Sequence, residues 1–344
     1  MKNILKSYTA LICGILCLGC TTTIHAASGA KYAGEFISIG IGGRALGLGS
    51  AYTALADDIT AGYWNPAGLS SLMYPQIALM HDERFAGLVN YDYGAVALPI
   101  GAASGVALSV IRLGIDGIPD TRSAWTDTNG DGMPDEGELE PDKVKYFNNA
   151  DWAVYFSYAK KLTDNFSYGA NLKIIRRDME VASATGIGFD VGVRYSPYDN
   201  LMLGANVQDV TTTLVAWNNG TNELITPTLK LGSAYFIDAL SGRFTPAFDV
   251  DVRFENRQSA SNAHIGAVSF DFHGGLEYEY KSVVALRTGY SEIGSLNVGA
   301  GIRLPKFTID YSFSKFDAEN QLGNTHRISL IFTLQAERFK RITE

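Results

Sequence analysis

Residues 306–316 read KFTIDYSFSKF, and this stretch decides the fold. Phe307, Ile309, Tyr311 and Phe313 alternate with polar residues. Successive side chains of a β-strand point to opposite faces, so the stretch predicts a strand with one apolar and one polar face. The same alternation appears in LMLGANVQ (201–208), RFTPAFDVDVRFE (243–255) and RISLIFTL (327–334). The chain therefore repeats one kind of strand along most of its length.

Counting these segments from residue 76 onward predicts about fourteen strands. They are 76–83, 87–99, 104–114, 150–161, 165–177, 186–197, 200–209, 226–237, 243–255, 268–280, 283–291, 295–304, 306–316 and 326–335. Connections after even-numbered strands are short, and most of those after odd-numbered strands are longer and more polar. Bacterial outer-membrane barrels have an even number of strands, short periplasmic turns and long external loops.

Closure of the sheet also follows from the environment, because within lipid every backbone N–H and C=O needs an internal partner. The sequence thus predicts an all-β transmembrane protein, an antiparallel outer-membrane β-barrel of about fourteen strands over residues 76–335. Residues 336–344 would form a periplasmic tail, and 115–149 a long external loop. A soluble all-β protein with the same alternation is the alternative reading.

Composition agrees with a barrel. The chain has 36 glycines, 18 tyrosines and 17 phenylalanines, and only 19% of its residues are charged, which is typical of barrels with aromatic girdles. Its net charge of −8 argues against nucleic acid as a partner.

The first residues have the pattern of an export signal. Lys2 and Lys6 precede an apolar run that ends near IHAAS, which predicts a signal peptide over residues 1–26 with cleavage after Ala26 or Ala27. All the cysteines (Cys13, Cys17 and Cys20) lie in this segment. Lipidation of Cys20 is the alternative to this cleavage. The expected location is the bacterial outer membrane.

Residues 27–75 are glycine-rich and do not alternate. Residues 40–45 (GIGGRA) fit a loose dinucleotide pattern, but the acidic residues Asp57 and Asp58 come too early for a βαβ unit. We expect instead a hatch that fills the barrel lumen, a coil with one short helix from Gly49 to Asp57. Asp57 and Asp58 would be a polar pair at the helix end or partners of wall residues such as Arg176 or Arg303, rather than an acid–base pair.

The hatch carries a short motif, Asn65-Pro66-Ala67-Gly68-Leu69. Pro66 fixes its own φ and disfavours the helical region for Asn65, so the pair sets a turn. Gly68 permits close backbone approach. The Asn65 side chain is suited to satisfying main-chain groups that a coil leaves unpaired.

The loop DTNGDGMPDEGE (127–138) matches a calcium-binding pattern. The predicted ligands are Asp127, Asn129, Asp131, the backbone carbonyl of Met133, Asp135 and Glu138. Gly132 makes the sharp turn of such loops, and oxygen donors at alternate positions suit one hard cation. Pro134 departs from the helical-hand version of the motif, so we predict structural Ca²⁺ in an external loop rather than a switch. An acidic hydrophilic loop without an ion is the alternative.

The run GGRALGLGSAYTALADDITAGYWNPAGLSSL (42–72) resembles the amino-terminal signature of the PorV/PorQ family, within the wider FadL-like group of outer-membrane barrels. The Asn-Pro-Ala element is similar to that of the group's hatch. The stretches IRLGIDGIPDT (111–121), DTNGDGMPDEGE (127–138) and KYFNNADWAVYFSYAKKL (145–162) also resemble this family. The resemblance implies a fourteen-stranded barrel.

No catalytic constellation is found in the sequence, so we predict a protein that is not an enzyme. The resemblance implies a barrel that holds or shuttles secreted cargo proteins in type IX secretion, with Trp125 and Trp217 as candidate exposed aromatics of the contact loops. The second reading is FadL-like passage of hydrophobic small molecules, and the third is a structural outer-membrane protein. We favour the cargo-protein reading, because the quoted signature is closer to PorV/PorQ than to the fatty-acid transporters, although the sequence does not choose firmly between cargo proteins and small molecules. It gives neither the position of a lateral gate nor the oligomeric state.

Overall fold

The computed structural model describes residues 34–342 except 86, 134, 136, 258–259, 292–293 and 316–323. The predicted signal peptide and Cys20 lie outside these residues.

The described residues form one antiparallel sheet of eighteen strand segments. The segments are β1 (Gln76–Arg84), β2 (Val89–Ile100), β3 (Ser104–Asp120), β4 (Lys145–Thr163), β5 (Phe166–Asp178), β6 (Ser183–Tyr198), β7 (Leu201–Gln208), β8 (Thr213–Trp217), β9 (Asn222–Ile225), β10 (Thr228–Tyr235), β11 (Ile237–Ala239), β12 (Gly242–Arg253), β13 (Ala263–Ile265), β14 (Val268–Tyr280), β15 (Val284–Tyr290), β16 (Leu296–Leu304), β17 (Phe307–Lys315) and β18 (Thr325–Thr333).

The sheet closes on itself, because β1 pairs with both β2 and β18. Segments β7 and β8 both pair with β6 and are two parts of one barrel strand. Segments β9, β10 and β11 likewise share one strand, and β13 is a three-residue arm on β14. The described sheet is therefore a closed barrel of fourteen strands, which confirms the predicted fold class.

The barrel is inverted relative to a soluble protein. In β17 the polar residues Asp310, Ser312 and Ser314 are buried, whereas Tyr311 is 37% exposed. Large apolar side chains on other strands, such as Leu286 at 58% and Ile187 at 54% exposed, also face outward. An apolar exterior around a polar interior is the arrangement that lipid selects.

Two strands extend into the segment that the sequence assigned to the loop 115–149. Because Ile118 pairs with Phe147 and Asp120 with Lys145, β3 and β4 continue past a bulge near Gly117, whose φ is +68°. The remaining connection, residues 121–144, is called the long loop below. It contains a 3₁₀ turn at Pro141–Lys143 and a bridge between Trp125 and Leu139.

Residues 34–75 lie within the barrel and form the hatch. Its regular elements are α1 (Glu35–Ser38), α2 (Gly43–Gly47), α3 (Ala61–Trp64) and a 3₁₀ helix (Pro66–Ser71). The predicted helix from Gly49 to Asp57 is wrong. Gly49 and Ser50 have φ of +64° and +71°, a left-handed conformation that a helix cannot continue through.

None of the helices among the described residues has the length and apolar character needed to cross a membrane. After β18 the chain forms a 3₁₀ turn at Glu337–Phe339. The Arg341 amide then donates to the Met73 carbonyl at 2.8 Å, so the tail docks against the end of the hatch.

Candidate functional site

The candidate site is the hatch together with the lumen wall that surrounds it. Asn65 is fully buried, and its amide nitrogen donates to the carbonyls of Thr53 (2.9 Å) and Val193 (3.1 Å). Its side-chain oxygen accepts from the Ala67 amide at 3.2 Å. One asparagine thus caps the 3₁₀ helix, links two hatch segments and joins the hatch to β6.

Glycines of the wall let the hatch backbone approach closely. A Cβ on Gly192 would lie 2.2 Å from the Asn65 side-chain oxygen, and one on Gly204 would lie 2.5 Å from the Thr53 carbonyl oxygen. Within the hatch, a Cβ on Gly68 would lie 1.9 Å from the Ala56 carbonyl oxygen. Side chains cannot occupy these positions without moving backbone.

A buried charge network fixes the first half of the hatch. Arg44 of α2 makes two hydrogen bonds to Glu277 of β14, at 2.9 and 3.0 Å, and pairs with Asp57 at 3.0 Å. Glu277 also accepts from Arg287, which in turn binds Asp310, each at 2.6 Å. Because Arg44, Glu277 and Arg287 are largely removed from water, each needs its partners, whereas the Asp57 carboxylate is half-exposed.

The predicted wall partners of the Asp57–Asp58 pair are wrong. Asp57 pairs with Arg44 inside the hatch, while Arg176 pairs with Asp178 and Arg303 with Glu277 and Glu279. Asp58 is bound locally, since it accepts from the amide of Thr60 at 2.8 Å and the hydroxyl of Tyr52 at 3.3 Å. Asp57 pairs with Arg44 because the left-handed turn at residues 49–50 folds the hatch back on itself and brings these two residues of the hatch together.

Further wall side chains bind hatch backbone. Asp249 of β12 accepts from the amides of Tyr52 (2.9 Å) and Thr53 (2.7 Å). Three side chains of β5, β6 and β7 donate to hatch carbonyls: Asn171 to Gly62, Arg194 to Ala54 and Asn206 to Trp64, at 2.8, 3.1 and 3.0 Å. The second half of the hatch is thereby fastened to this side of the barrel.

The inward face of β2, β3 and β4 has a different character, and we call it the apolar sector. Its inward residues are mainly tyrosine, isoleucine and alanine: Tyr91, Tyr93, Ala95, Ala97, Ala107, Ile111, Ala153, Tyr155 and Ala159, all buried. Ile175, on the neighbouring strand β5, and Val215, on β8 beyond β6, are also buried and apolar. The lumen therefore has one apolar side and one charged side.

The long loop holds the predicted calcium ligands. The Asp127 carboxylate accepts from the amides of Gly130 (2.5 Å) and Gly132 (3.0 Å). The Asn129 amide donates to Asp131 at 3.3 Å and to Asp135 at 2.7 Å.

Glu138 closes the long loop from the other end. Its carboxylate accepts from the Thr128 amide (2.8 Å) and hydroxyl (2.7 Å), from the Trp125 indole (3.2 Å) and from the Asp135 amide (3.2 Å). These contacts, the Thr128 hydroxyl first, lower the pKa of Glu138 to about 2. Asp131 and Asp135 thus meet at Asn129, whereas Asp127 binds backbone amides and Glu138 binds two backbone amides and two side chains. The calcium site stays a prediction.

The two tryptophans proposed as exposed contact residues are half-buried. Trp125 is tied to Glu138, and the Arg177 guanidinium lies over the Trp217 ring, 5.4 Å from its centre. By contrast, Tyr146 on β4 is 71% exposed.

Sequence reasoning did not find the charged network or the apolar sector. The signal for the network was present, since Asp249, Glu277, Arg287 and Asp310 occupy the polar face of alternating strands. The apolar sector had no such signal, because Ala and Tyr on inward positions look like ordinary strand residues.

Comparison with known proteins relates this fold to a group of channels. A model described as an uncharacterised protein family (UPF0164) matches residues 20–91. No curated protein matches the chain.

Three solved structures show the same architecture. The Pseudomonas putida toluene transporter TodX has 14% sequence identity and a TM-score of 0.58, and the match covers 85% of this chain and 96% of that chain. The Ralstonia pickettii toluene transporter TbuX has 13% identity and a TM-score of 0.54, with 86% and 98% covered. A Pseudomonas aeruginosa FadL homologue has 13% identity and a TM-score of 0.52, with 84% and 98% covered. The chain therefore shares the fold of FadL-type outer-membrane channels, while its resemblance to PorV/PorQ remains one of sequence.

Proposed function

We propose that this protein is an outer-membrane channel that binds and passes hydrophobic small molecules. The observation that carries the proposal is the apolar sector, which gives a lumen that is otherwise charged a mainly apolar side, interrupted only by the hydroxyls of Ser109 and Ser157 among the described inward residues between Tyr91 and Ala159 that face Gly62. Apolar molecules gain about 25 cal/mol for each Å² of surface removed from water, so they are expected on this side. The names of the similar structures, which include two toluene transporters, support the same class of compound.

The cargo-holding function implied by the PorV/PorQ resemblance is the second candidate. It would use the long loop and the exposed Tyr146 as a contact surface for secreted proteins. The fold of the neighbours favours the small-molecule function over this one.

Uptake of radiolabelled toluene by cells that carry the protein tests the proposal. We expect faster uptake than in cells with the empty vector. Ile111→Asn, which places an amide in the apolar sector, is expected to reduce uptake about tenfold, equivalent to about 1.4 kcal/mol. Ile174→Asn is the matched control, because Ile174 faces outward and is 37% exposed.

Purification in detergent followed by mass spectrometry separates the two candidates. Bound hydrophobic small molecules would support the channel. Recovery of secreted proteins alone, with toluene uptake equal to that of the empty vector, would instead support the cargo-holding function.

We also propose that the long loop binds calcium through Asp127, Asn129, Asp131, Met133, Asp135 and Glu138. The support is the spacing of the oxygen donors and the convergence of two carboxylates on the Asn129 amide. A cation between these carboxylates would neutralise their repulsion more strongly than an amide dipole does.

A further inference from the structure

The hatch is fastened to the barrel unevenly. Ion pairs and hydrogen bonds from β5, β6, β7, β12 and β14 hold it, as described above, and Gln76 of β1 and Ser329 of β18 accept from the amides of Ile59 and Gly43, each at 2.9 Å. Against the apolar sector the polar contact is weak, since the Tyr93 hydroxyl lies 3.5 Å from the Ile59 carbonyl. Packing of apolar surface dominates there, so this is the side on which the hatch separates most easily from the wall.

Small side chains make the contact on this side smooth. Five alanines of β2, β3 and β4 face the hatch, and α3 presents Gly62 to them. A Cβ on Gly62 would lie 3.8 Å from the Ala107 Cβ, which is ordinary contact, and 3.1 and 3.3 Å from the hydroxyls of Ser157 and Ser109, which would have to turn slightly aside. A small displacement of α3 would therefore open space along the apolar sector at the cost of the hydrogen bonds from Asn171 and Asn206 to its carbonyls, without breaking an ion pair.

Two buried phenols in the apolar sector have no partner. Tyr91 is fully buried and Tyr155 is 1% exposed, and within the described residues neither hydroxyl has a hydrogen-bond partner. The Tyr155 ring packs edge-on against Tyr63 of α3, with 6.2 Å between the ring centres. Buried hydroxyls are normally hydrogen-bonded, so an unpaired pair in one apolar region calls for a ligand group.

We propose that the contact of α3 and the 3₁₀ helix with the apolar sector, here called the seam, is the binding site for the transported molecule. The seam takes a small apolar molecule that carries one hydrogen-bonding group, and Tyr91 and Tyr155 recognise that group. This inference rests on the proposed channel function and specifies the substrate class and the route past the hatch.

A reversible crosslink tests the route. Gly62→Cys with Ala107→Cys places two thiols at a Cβ separation that a disulfide spans, and the cysteines of the native chain all lie within its first 20 residues. We expect oxidation to reduce p-cresol uptake at least fivefold and reduction with dithiothreitol to restore it. The single-cysteine variants, treated identically, are the controls.

Conservative variants test the recognition. Tyr91→Phe and Tyr155→Phe remove only the unpaired hydroxyls, so the barrel is expected to fold, which its heat-dependent gel mobility checks. Each is expected to lower p-cresol uptake severalfold and to leave toluene uptake unchanged. Tyr158→Phe is the matched control on β4, because Tyr158 faces outward and is 44% exposed.

Each outcome separates the seam from the channel function. If the native protein takes up toluene but the crosslink does not reduce p-cresol uptake, the seam is not the route, and the channel function still stands. If Tyr91→Phe and Tyr155→Phe change the uptake of p-cresol and of toluene by the same factor, the two phenols do not recognise the hydrogen-bonding group. Uptake of neither compound above the empty vector would overturn the channel function, and the seam with it.

Discussion

Single buried side chains connect parts of this molecule that lie far apart in sequence. Asn65 binds Thr53, Ala67 and Val193 at once, and Glu138 gathers four donors of the long loop. In both cases one polar side chain satisfies several main-chain groups, and the loss of the acceptor or its charge affects all of them together.

Glu138 makes the order of the long loop depend on pH. Its folded pKa of about 2 lies below its ordinary value, so its contribution is complete above about pH 4.5 and is lost as pH falls toward 2. In calcium-free buffer we expect the protection of the loop's backbone amides, taken relative to the intrinsic exchange rate at each pH, to fall progressively across this interval. Hydrogen exchange read by mass spectrometry measures it.

Glu138→Gln is the variant for this test, because it keeps the shape and removes the titration. The variant is expected to show low protection of these amides at every pH. Glu140→Gln, an exposed residue that pairs with Lys143, is the control and should behave as the native loop. A native loop whose exchange protection did not change between pH 5 and 2 would contradict the role given to Glu138.

The strands and the hatch differ in how far the sequence predicts them. The strands repeat a period of two over long segments, and the number of barrel strands follows from that pattern. The helix predicted at Gly49–Asp57 is absent because helix propensity takes no account of contacts with the barrel wall. The Asp249 carboxylate accepts from the amides of Tyr52 and Thr53, and Ser50 adopts a left-handed conformation. Local pattern predicts elements that repeat, whereas the hatch is shaped by tertiary contacts.

The long loop is expected to depend on calcium while the barrel does not. Removing the ion leaves the carboxylates of Asp127, Asp131, Asp135 and Glu138 within one short loop, and their mutual repulsion loosens it. Protease digestion with and without chelator should show cleavage between residues 121 and 144 only when calcium is removed, with heat-dependent gel mobility unchanged. Asp127→Ala should cleave in both conditions, and equal cleavage of the native loop in both would exclude a structural ion.

At the scale of the whole molecule the lumen is divided, with apolar surface concentrated on β2–β4 and buried charge on other strands, both on β12–β18 and on β5 and β6, where Lys173 pairs with Asp190. The polar rows of KFTIDYSFSK and RFTPAFDVDVR predicted a polar interior, but not which strands would carry paired charges. That division depends on which strands Arg44 of the hatch faces, and no local sequence pattern specifies those strands. It places the ion pairs of Arg44 and the proposed route on different sides of one barrel.

The pair between Arg44 and Glu277 is the main test of this division. Their side chains are only 13% and 3% exposed, and removal of one partner of a buried pair costs about 3 kcal/mol. Glu277→Gln is expected to be the more damaging change, because it also deprives Arg287 and Arg303 of a partner. Arg44→Met leaves Glu277 with both of these arginines.

Urea unfolding of the two single variants and the double variant measures the effect. The double variant is expected to lose at least about 1 kcal/mol less than the sum of the single losses, because each single variant already removes the shared interaction. Arg243→Met is the control, since its pair with Asp238 is exposed and screened by solvent, so its loss is expected to change stability little. Additive losses, or a larger loss in Arg44→Met than in Glu277→Gln, would show that the charged side does not hold the hatch through this pair.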